Sequence, residues 1–337
     1  MNRVALFFVS IFLLVSCTLN RYEQEELISP TQSATQVVVS VTSQPTATFP
    51  PTVTKTITPT SLPTVTPIGG GQGRVIFLRD DDNAENWDIF SMNSNGTGMQ
   101  QLTFWEGVIS HPVWSPAGEK IAFSYRETKD AFSQLYVMNP DGSEITKIST
   151  DDGRNYSTPD WSPDSTKIAF SSGQSNSDWE IFIMNADGSD EVQITDGASI
   201  SYGPDWSPDG TIIAFVSMAD YQPEIFVMNS DGTDPKPITS LGANIGPPKW
   251  SPDGEYIVFQ SQKDEKKEWE IYLMRSDGTD LVQITDNDTW DLRPRFSLDG
   301  TKISWDSCCF NLSIMNLDGS DVEKLNSQFG WDYDWQP

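Results

Sequence analysis

From about residue 73 onward, short apolar runs alternate with clusters of turn-forming polar residues. Ile121-Ala122-Phe123-Ser124 and Ile168-Ala169-Phe170-Ser171 alternate large with smaller side chains, the period of a β-strand and not of a helix. Runs of this kind begin at Val75, Ile121, Ile168, Ile213, Ile257 and Ile303, so the pattern returns about every 45 residues. A second predicted strand in each unit ends at Met92, Met138, Met184, Met228, Met274 or Met315 and runs into a turn such as Asn185-Ala186-Asp187-Gly188. Asn-Gly and Asp-Gly turns supply the positive backbone angles that tight hairpins need. A third strand closes on Leu102-Thr103, Ile148-Ser149, Ile194-Thr195, Ile238-Thr239, Ile284-Thr285 or Leu325-Asn326.

Ahead of the Ile-Ala-Phe strands stands an aromatic residue followed by a turn: Trp114-Ser-Pro-Ala-Gly, Trp161-Ser-Pro-Asp-Ser, Trp206-Ser-Pro-Asp-Gly, Trp250-Ser-Pro-Asp-Gly and Phe296-Ser-Leu-Asp-Gly. The aromatic strand makes four short antiparallel strands in about 44 residues, the size of one propeller blade. The first unit lacks its aromatic strand, and Asp334-Trp335-Gln336-Pro337 supplies it from the other end of the chain. The expected fold is therefore all-β: a six-bladed β-propeller of four-stranded blades over residues 73–337, closed by the C-terminal strand completing the first blade.

The repeated Trp-Ser-Pro-Asp-Gly, Ile-Ala-Phe and Ile-Phe/Tyr-x-Met-Asn-x-Asp-Gly strings resemble the TolB-type propeller repeat. Similar repeats occur in the propellers of prolyl-oligopeptidase-like proteases. The resemblance implies a periplasmic binding protein, since TolB joins an α/β domain to its propeller and partners a peptidoglycan-associated lipoprotein and colicins. Here a different N-terminal region replaces the α/β domain, so that specific role does not carry over.

Met1, Asn2 and Arg3 precede an apolar run from Val4 to Val15, which reads as a signal peptide over residues 1–16. The run falls short of the roughly 20 apolar residues that span a bilayer. Leu14-Val15-Ser16-Cys17 resembles the bacterial lipobox, which implies acylation of Cys17 and a membrane attachment through lipid alone. Residues 17–72 keep no strand or helix period, and 43–67 are mostly Thr, Pro, Ser and Val, a disordered tether in which Pro favours extended backbone. The expected location is the cell envelope: the extracytoplasmic membrane face or the periplasm.

A formal net charge of −27 leaves no basic footprint for nucleic acid. The repeated Trp, Ile, Phe and Met residues are core. Chain reversal at every strand puts the Ser-Pro-Asp-Gly and Asn-x-Asp-Gly turns on one face of the disc. The connections that vary in length and content fall on the other, which is the expected binding face. Just ahead of the aromatic strands lie the unit-specific residues His111, Tyr156, Tyr202, Asn244, Trp290, Arg293, Trp331 and Asp332, candidates for lining the channel mouth. Trp87, Trp179 and Trp269 occupy one equivalent position in alternate units, either as a stacking rim or as packing over neighbouring loops. The expected partner is an envelope protein or a glycan.

The chemistry of an enzyme is thin. His111 is the one histidine, so a multi-histidine metal site cannot be assembled, and neither a Cys-x-x-Cys pair nor a Gly-x-Ser-x-Gly elbow occurs. No metal or other cofactor is expected, although Asp80-Asp81-Asp82 and Asp286-Asn287-Asp288 carry carboxylates of the kind calcium takes without matching a calcium loop. Adjacent Cys308 and Cys309 admit a vicinal disulfide, pairing between molecules, or two free thiols. The alternative function is a glycosidase-like propeller, for which Asp291, Asp332 and Asp334 are the available acids.

Overall fold

The computed structural model describes residues 73–80, 87–175, 177–218, 222–262, 268–307, 311–325 and 331–337. Cys17, the signal peptide, the tether, Asp81, Asp82, Cys308 and Cys309 lie outside them. The described residues form strands and turns without helix, in one compact unit that runs from Pro67 to the C-terminus.

Four sheets have four strands each, and a fifth has eight. The eight-stranded sheet consists of two four-strand ladders joined by the single parallel bridge between Trp87 and Val108. Each ladder runs from an inner strand outward. The inner strands are Trp331–Trp335, Val108–Trp114, Asn155–Trp161, Ser201–Trp206, Lys249–Trp250 and Asp291–Phe296. Next to them lie Arg74–Asp80, Ile121–Arg126, Lys167–Gly173, Ile212–Ser217, Tyr256–Ser261 and Lys302–Ser307. Third come Trp87–Asn93, Gln134–Met138, Glu180–Asn185, Glu224–Asn229, Glu270–Arg275 and Asn311–Asn316, followed by two-residue outer strands. Consecutive inner strands pack on one another, so they ring a common axis.

Trp331–Trp335 is the inner strand of the first blade and pairs antiparallel with Arg74–Asp80, joining Val75 to Trp335 and Ile76 to Asp334. Val75, Phe77, Phe90, Met92, Tyr333 and Trp335 then pack on Leu312, Ile314 and Leu325 of the sixth blade. Closing the ring removes the open edge a linear array would leave. The same logic fills the other gaps: Val113, Ala122, Leu135 and Val137 of one blade meet Tyr156, Trp161, Ile168, Phe170, Phe182 and Met184 of the next. Each fully buried aromatic or aliphatic side chain contributes about 1.5–3 kcal/mol.

The Leu-Thr and Ile-Thr pairs expected to end a third strand lie just beyond the outer strands instead. Leu102, Ile148, Ile194, Ile238, Ile284 and Leu325 still donate their N–H groups to the third strand, at 2.8–2.9 Å. The hydroxyl that follows takes over the ladder. Thr103, Thr195, Thr239 and Thr285 accept the N–H of Ile89, Ile181, Ile225 and Ile271 at 2.9–3.0 Å. Each hydroxyl then donates to the carboxylate of Asp88, Glu180, Glu224 or Glu270.

On the opposite face, Gly142, Gly188, Gly232 and Gly278 hold positive φ and press against the preceding blade. A Cβ on them would sit 2.2–2.5 Å from the carbonyl oxygens of Leu102, Ile148, Ile194 and Ile238. Gly188→Ala, with φ +89° and such a clash at 2.2 Å, is expected to lose about 2–4 kcal/mol in urea unfolding. Gly153→Ala, at φ +79° with nothing within 4 Å, is expected to lose only about 1 kcal/mol.

Candidate functional site

Three residues before the inner-strand aromatic, in all blades but the fifth, the backbone turns left-handed. His111 (φ 53°), Thr158 (49°), Gly203 (66°), Arg293 (49°) and Asp332 (49°) all occupy this position. The ladder to the second strand shifts register at the same place, between Ser110 and Val113, Ser157 and Asp160, Tyr202 and Asp205, and Leu292 and Arg295. These are β-bulges. In the fifth blade Pro247 holds the position, and its ring forbids positive φ. That inner strand shrinks to Lys249–Trp250, with an isolated bridge from Ile245 to Ser261.

A bulge turns an N–H out of its own ladder, and a neighbouring blade must accept it. Ser171 Oγ accepts the Gly203 N–H at 2.9 Å, Gln260 Oε1 accepts that of Arg293, and Asp306 Oδ2 accepts that of Asp332 at 3.3 Å. Asp332 Oδ2 in turn accepts the N–H of His111 at 2.7 Å. One step further along the axis the residue before the aromatic does the same. Asp334, Asp160 and Asp205 accept the N–H groups of Trp114, Trp206 and Trp250 at 2.7–2.8 Å.

Basic side chains answer these carboxylates. Lys249 Nζ contacts Asp205 directly and Asp160 at 3.7 Å. Arg295 lies 3.2 Å from Asp334, and Arg293 lies 3.7 Å from Asp306 and 3.8 Å from Asp332. Three cations thus face five carboxylates on these contacts. Burial pushes the Asp160 carboxyl up to about 7, Asp205 beside it adds to the rise, and Lys249 opposes it. Burial also lifts Asp306 to about 7, against the pull of Arg293. Burial works to raise Asp332 too, but the charges of His111, Arg293 and Arg295 outweigh it and hold that group below its usual value. His111 is itself lowered by burial, so above its own pKa the two guanidinium groups carry that effect.

Of the residues singled out from sequence, His111, Arg293 and Asp332 come together on the inner strands. Tyr156, Tyr202 and Asn244 are engaged elsewhere. Tyr156 is fully buried, stacked on Phe170 at 5.4 Å, with its hydroxyl tied to Thr150 at 2.8 Å and Glu191 at 3.2 Å. Tyr202 donates to the Ile245 carbonyl at 3.4 Å, and Asn244 Nδ2 to Gln262 at 2.7 Å. Trp290 is half-buried, and the Trp331 side chain lies outside the described residues.

Trp87 and Trp269 are buried at 4% and 3% exposure, and Trp179 is half-buried, so the three do not form an open stacking rim. Their position serves the backbone: the Trp179 and Trp269 carbonyls accept the N–H groups of Ser201 and Asp291 in the following blade at 2.7 Å. Asp291 is held by Asn287 Nδ2 at 2.8 Å. Among the described residues no three His, Cys, Asp or Glu side chains are grouped to hold a metal. Sequence reasoning missed Asp160, Asp205, Lys249 and Arg295. The signal was available in the place just before the aromatic, which reads Val113, Asp160, Asp205, Lys249, Arg295 and Asp334 across the units.

A family profile described as TolB beta propeller domain matches residues 165–334, half of the chain. The chain belongs to the TolB beta propeller domain family. TolB from Acinetobacter baumannii superposes with a TM-score of 0.68 at 22% identity, covering 79% of this chain and 68% of that one. A protein assigned as TolB from Agrobacterium tumefaciens gives 0.60 at 23% identity, over 77% of this chain and 89% of that one. Hydrazine synthase of Kuenenia stuttgartiensis gives 0.66 at 16% identity, over 80% of this chain and 47% of that one. At these identities the likeness is one of fold, and a shared fold does not by itself carry a function.

Both Asp160 and Asp306 bind a proton more tightly folded than unfolded, because their pKa values rise from 3.8 to about 7. Their contribution to stability is therefore fully present below about pH 4 and is lost as pH rises from there through about 7. Asp160→Asn is expected to reduce the downward slope of unfolding free energy between about pH 4 and 7, by at most about 1.4 kcal/mol per pH unit. Lys249→Met leaves Asp160 and Asp205 without their cation. Chemical denaturation should show it destabilised by about 2–4 kcal/mol at pH 8 and by less at pH 5, where Asp160 is neutral.

Proposed function

We propose that this TolB-type propeller is an extracytoplasmic, lipid-anchored scaffold that binds a protein or glycan partner at its variable loop face and channel mouth, without catalysis. The observation that carries the reading is the channel wall. The wall differs from blade to blade: left-handed bulges set His111, Arg293 and Asp332 there, beside the Asp160–Asp205–Lys249 group. Strained, unit-specific positions on a rigid ring mark a recognition site. Family membership supports an envelope binding protein in general terms. The apolar run ending at Cys17 supports export and acylation.

A glycosidase reading draws on one specific feature, a carboxyl raised to about 7 at Asp160 beside a second carboxylate at Asp205. Both are engaged, however, by Trp N–H groups and by Lys249. Carboxylates committed in this way are poorly placed to protonate a leaving group and attack a sugar.

The test is capture from solubilised envelope by the full chain and by Arg293→Gln, with identification by mass spectrometry and matched thermal unfolding curves. A partner retained by the parent and reduced tenfold or more in the variant is expected. Equal recovery would remove the channel mouth from the binding site, and release of reducing sugar from envelope glycans, lost in Asp160→Asn, would replace the scaffold with the enzyme.

A further inference from the structure

Two large apolar side chains on the variable face stand open to solvent: Phe104 at 75% and Phe132 at 46% exposure. Neither belongs to the repeat. Where Phe104 follows Thr103, the second to fifth blades carry Thr150, Asp196, Ser240 and Asp286. Where Phe132 stands two places before the third strand, the third to fifth blades carry Asp178, Gln222 and Glu268. Exposed Val192 and Val282, by contrast, recur at one outer-strand position and belong to the pattern, and exposed Val322 lies one residue before the outer strand of the last blade.

Phe104 is held out by a fixed backbone. Thr103 Oγ1 and the Trp105 N–H on either side of it both donate to the buried Asp88 carboxylate, at 2.7 and 3.2 Å. Phe132 is likewise followed by an anchored residue, because Ser133 donates to Asn155 Oδ1 at 3.0 Å and accepts the Tyr156 N–H at 2.8 Å. Next to Phe104 in the chain, Trp105 meets Tyr125 at 4.6 Å and Tyr136 at 5.1 Å, edge-on to both. Those tyrosines flank the connection that carries Phe132. The result is a preorganised aromatic surface over the second blade. Its backbone leaves the outer strand, so it lies outside the channel.

The charge around it selects the occupant. Glu106 and Glu127 are exposed and within electrostatic reach of the Tyr125 hydroxyl, which donates to the Glu106 carbonyl. Lys147, which acts on Tyr136, is already paired with Asp151, and Arg126 and Lys129 at the connection are equalled in number by Glu127 and Asp130. A net charge of −27 repels an acidic partner over the whole molecule. Aromatic faces beside carboxylates suit a guanidinium or ammonium group through cation–π contact and ion pairing together.

We propose that Phe104, Trp105, Tyr125, Phe132 and Tyr136, with Glu106 and Glu127, form a docking surface for a cationic peptide segment of a protein partner, one bearing Arg or Lys next to aromatic side chains. The assignment rests on the variable loops being the partner face, but uses a place on that face separate from the channel.

Fluorescence anisotropy of the full chain, with a labelled hexapeptide of alternating Arg and Trp, tests it against a Glu/Trp hexapeptide, a Lys/Ser hexapeptide and an N-acetylglucosamine hexamer. The Arg/Trp peptide is expected to bind best at physiological salt. Its affinity should fall about tenfold or more in Phe104→Ser/Phe132→Ser, which leaves the net charge unchanged, and stay within about twofold in Arg293→Gln. Equal binding by parent and double variant, equal binding of the Glu/Trp peptide, or a sugar hexamer bound in preference and lost in the double variant would each overturn the proposal. Loss in Arg293→Gln with none in the double variant would move the peptide to the channel, sinking this surface while leaving the channel reading intact.

Discussion

A backbone N–H turned out of its ladder needs an acceptor, and here the inner strands turn one out in blade after blade. The left-handed residue before each aromatic creates that demand at His111, Gly203, Arg293 and Asp332. A side chain outside the residue's own inner strand satisfies it: Asp332, Ser171, Gln260 and Asp306 respectively. The ring is therefore joined at its axis by directional hydrogen bonds as well as by the apolar packing between blades. An apolar substitute could fill the same volume but would leave the N–H orphaned, at a cost of about 1–3 kcal/mol.

Carboxylates make strong caps, and concentrating them around an axis raises a second problem. Asp160, Asp205, Asp306, Asp332 and Asp334 converge with Lys249, Arg293 and Arg295, so negative charge exceeds positive there. The rise of Asp160 and Asp306 toward neutrality relieves that excess, because taking up a proton costs less than keeping a crowded buried charge. What keeps the blades together and what could recognise a ligand are thus the same groups.

The two faces of the disc divide the remaining work. Ser-Pro-Asp turns repeat one geometry, with Ser162, Ser207, Ser251 and Ser297 donating to the following aspartate at 2.5–2.6 Å. Their short loops have little freedom to carry anything unique. The other face is fixed at its roots, where Thr hydroxyls donate to Asp88, Glu180, Glu224 and Glu270. Beyond those roots each connection is free to differ, and Phe104 stands where other blades are polar because its neighbours, not its own side chain, meet the structural requirement.

Strand positions, turns and the supply of the first inner strand by Trp335 were legible in the sequence, because alternation and turn chemistry act between residues a few places apart. The same local view placed Tyr156 at an open mouth and left Trp87 and Trp269 between a stacking rim and packing over neighbouring loops. Tyr156 is buried against Val113, Ala122, Leu135 and Val137 of the neighbouring blade, which no single unit reveals. It also passed over Asp160, Asp205, Lys249 and Arg295, since a varying polar residue beside a repeated aromatic reads as ordinary surface until closure brings it to the axis. Sequence by itself determined the repeating unit and its core, through short-range periodicity. Tertiary structure alone decided which variable residues face one another, because that depends on the bulge that rotates them inward and on the ring that sets one blade beside the next.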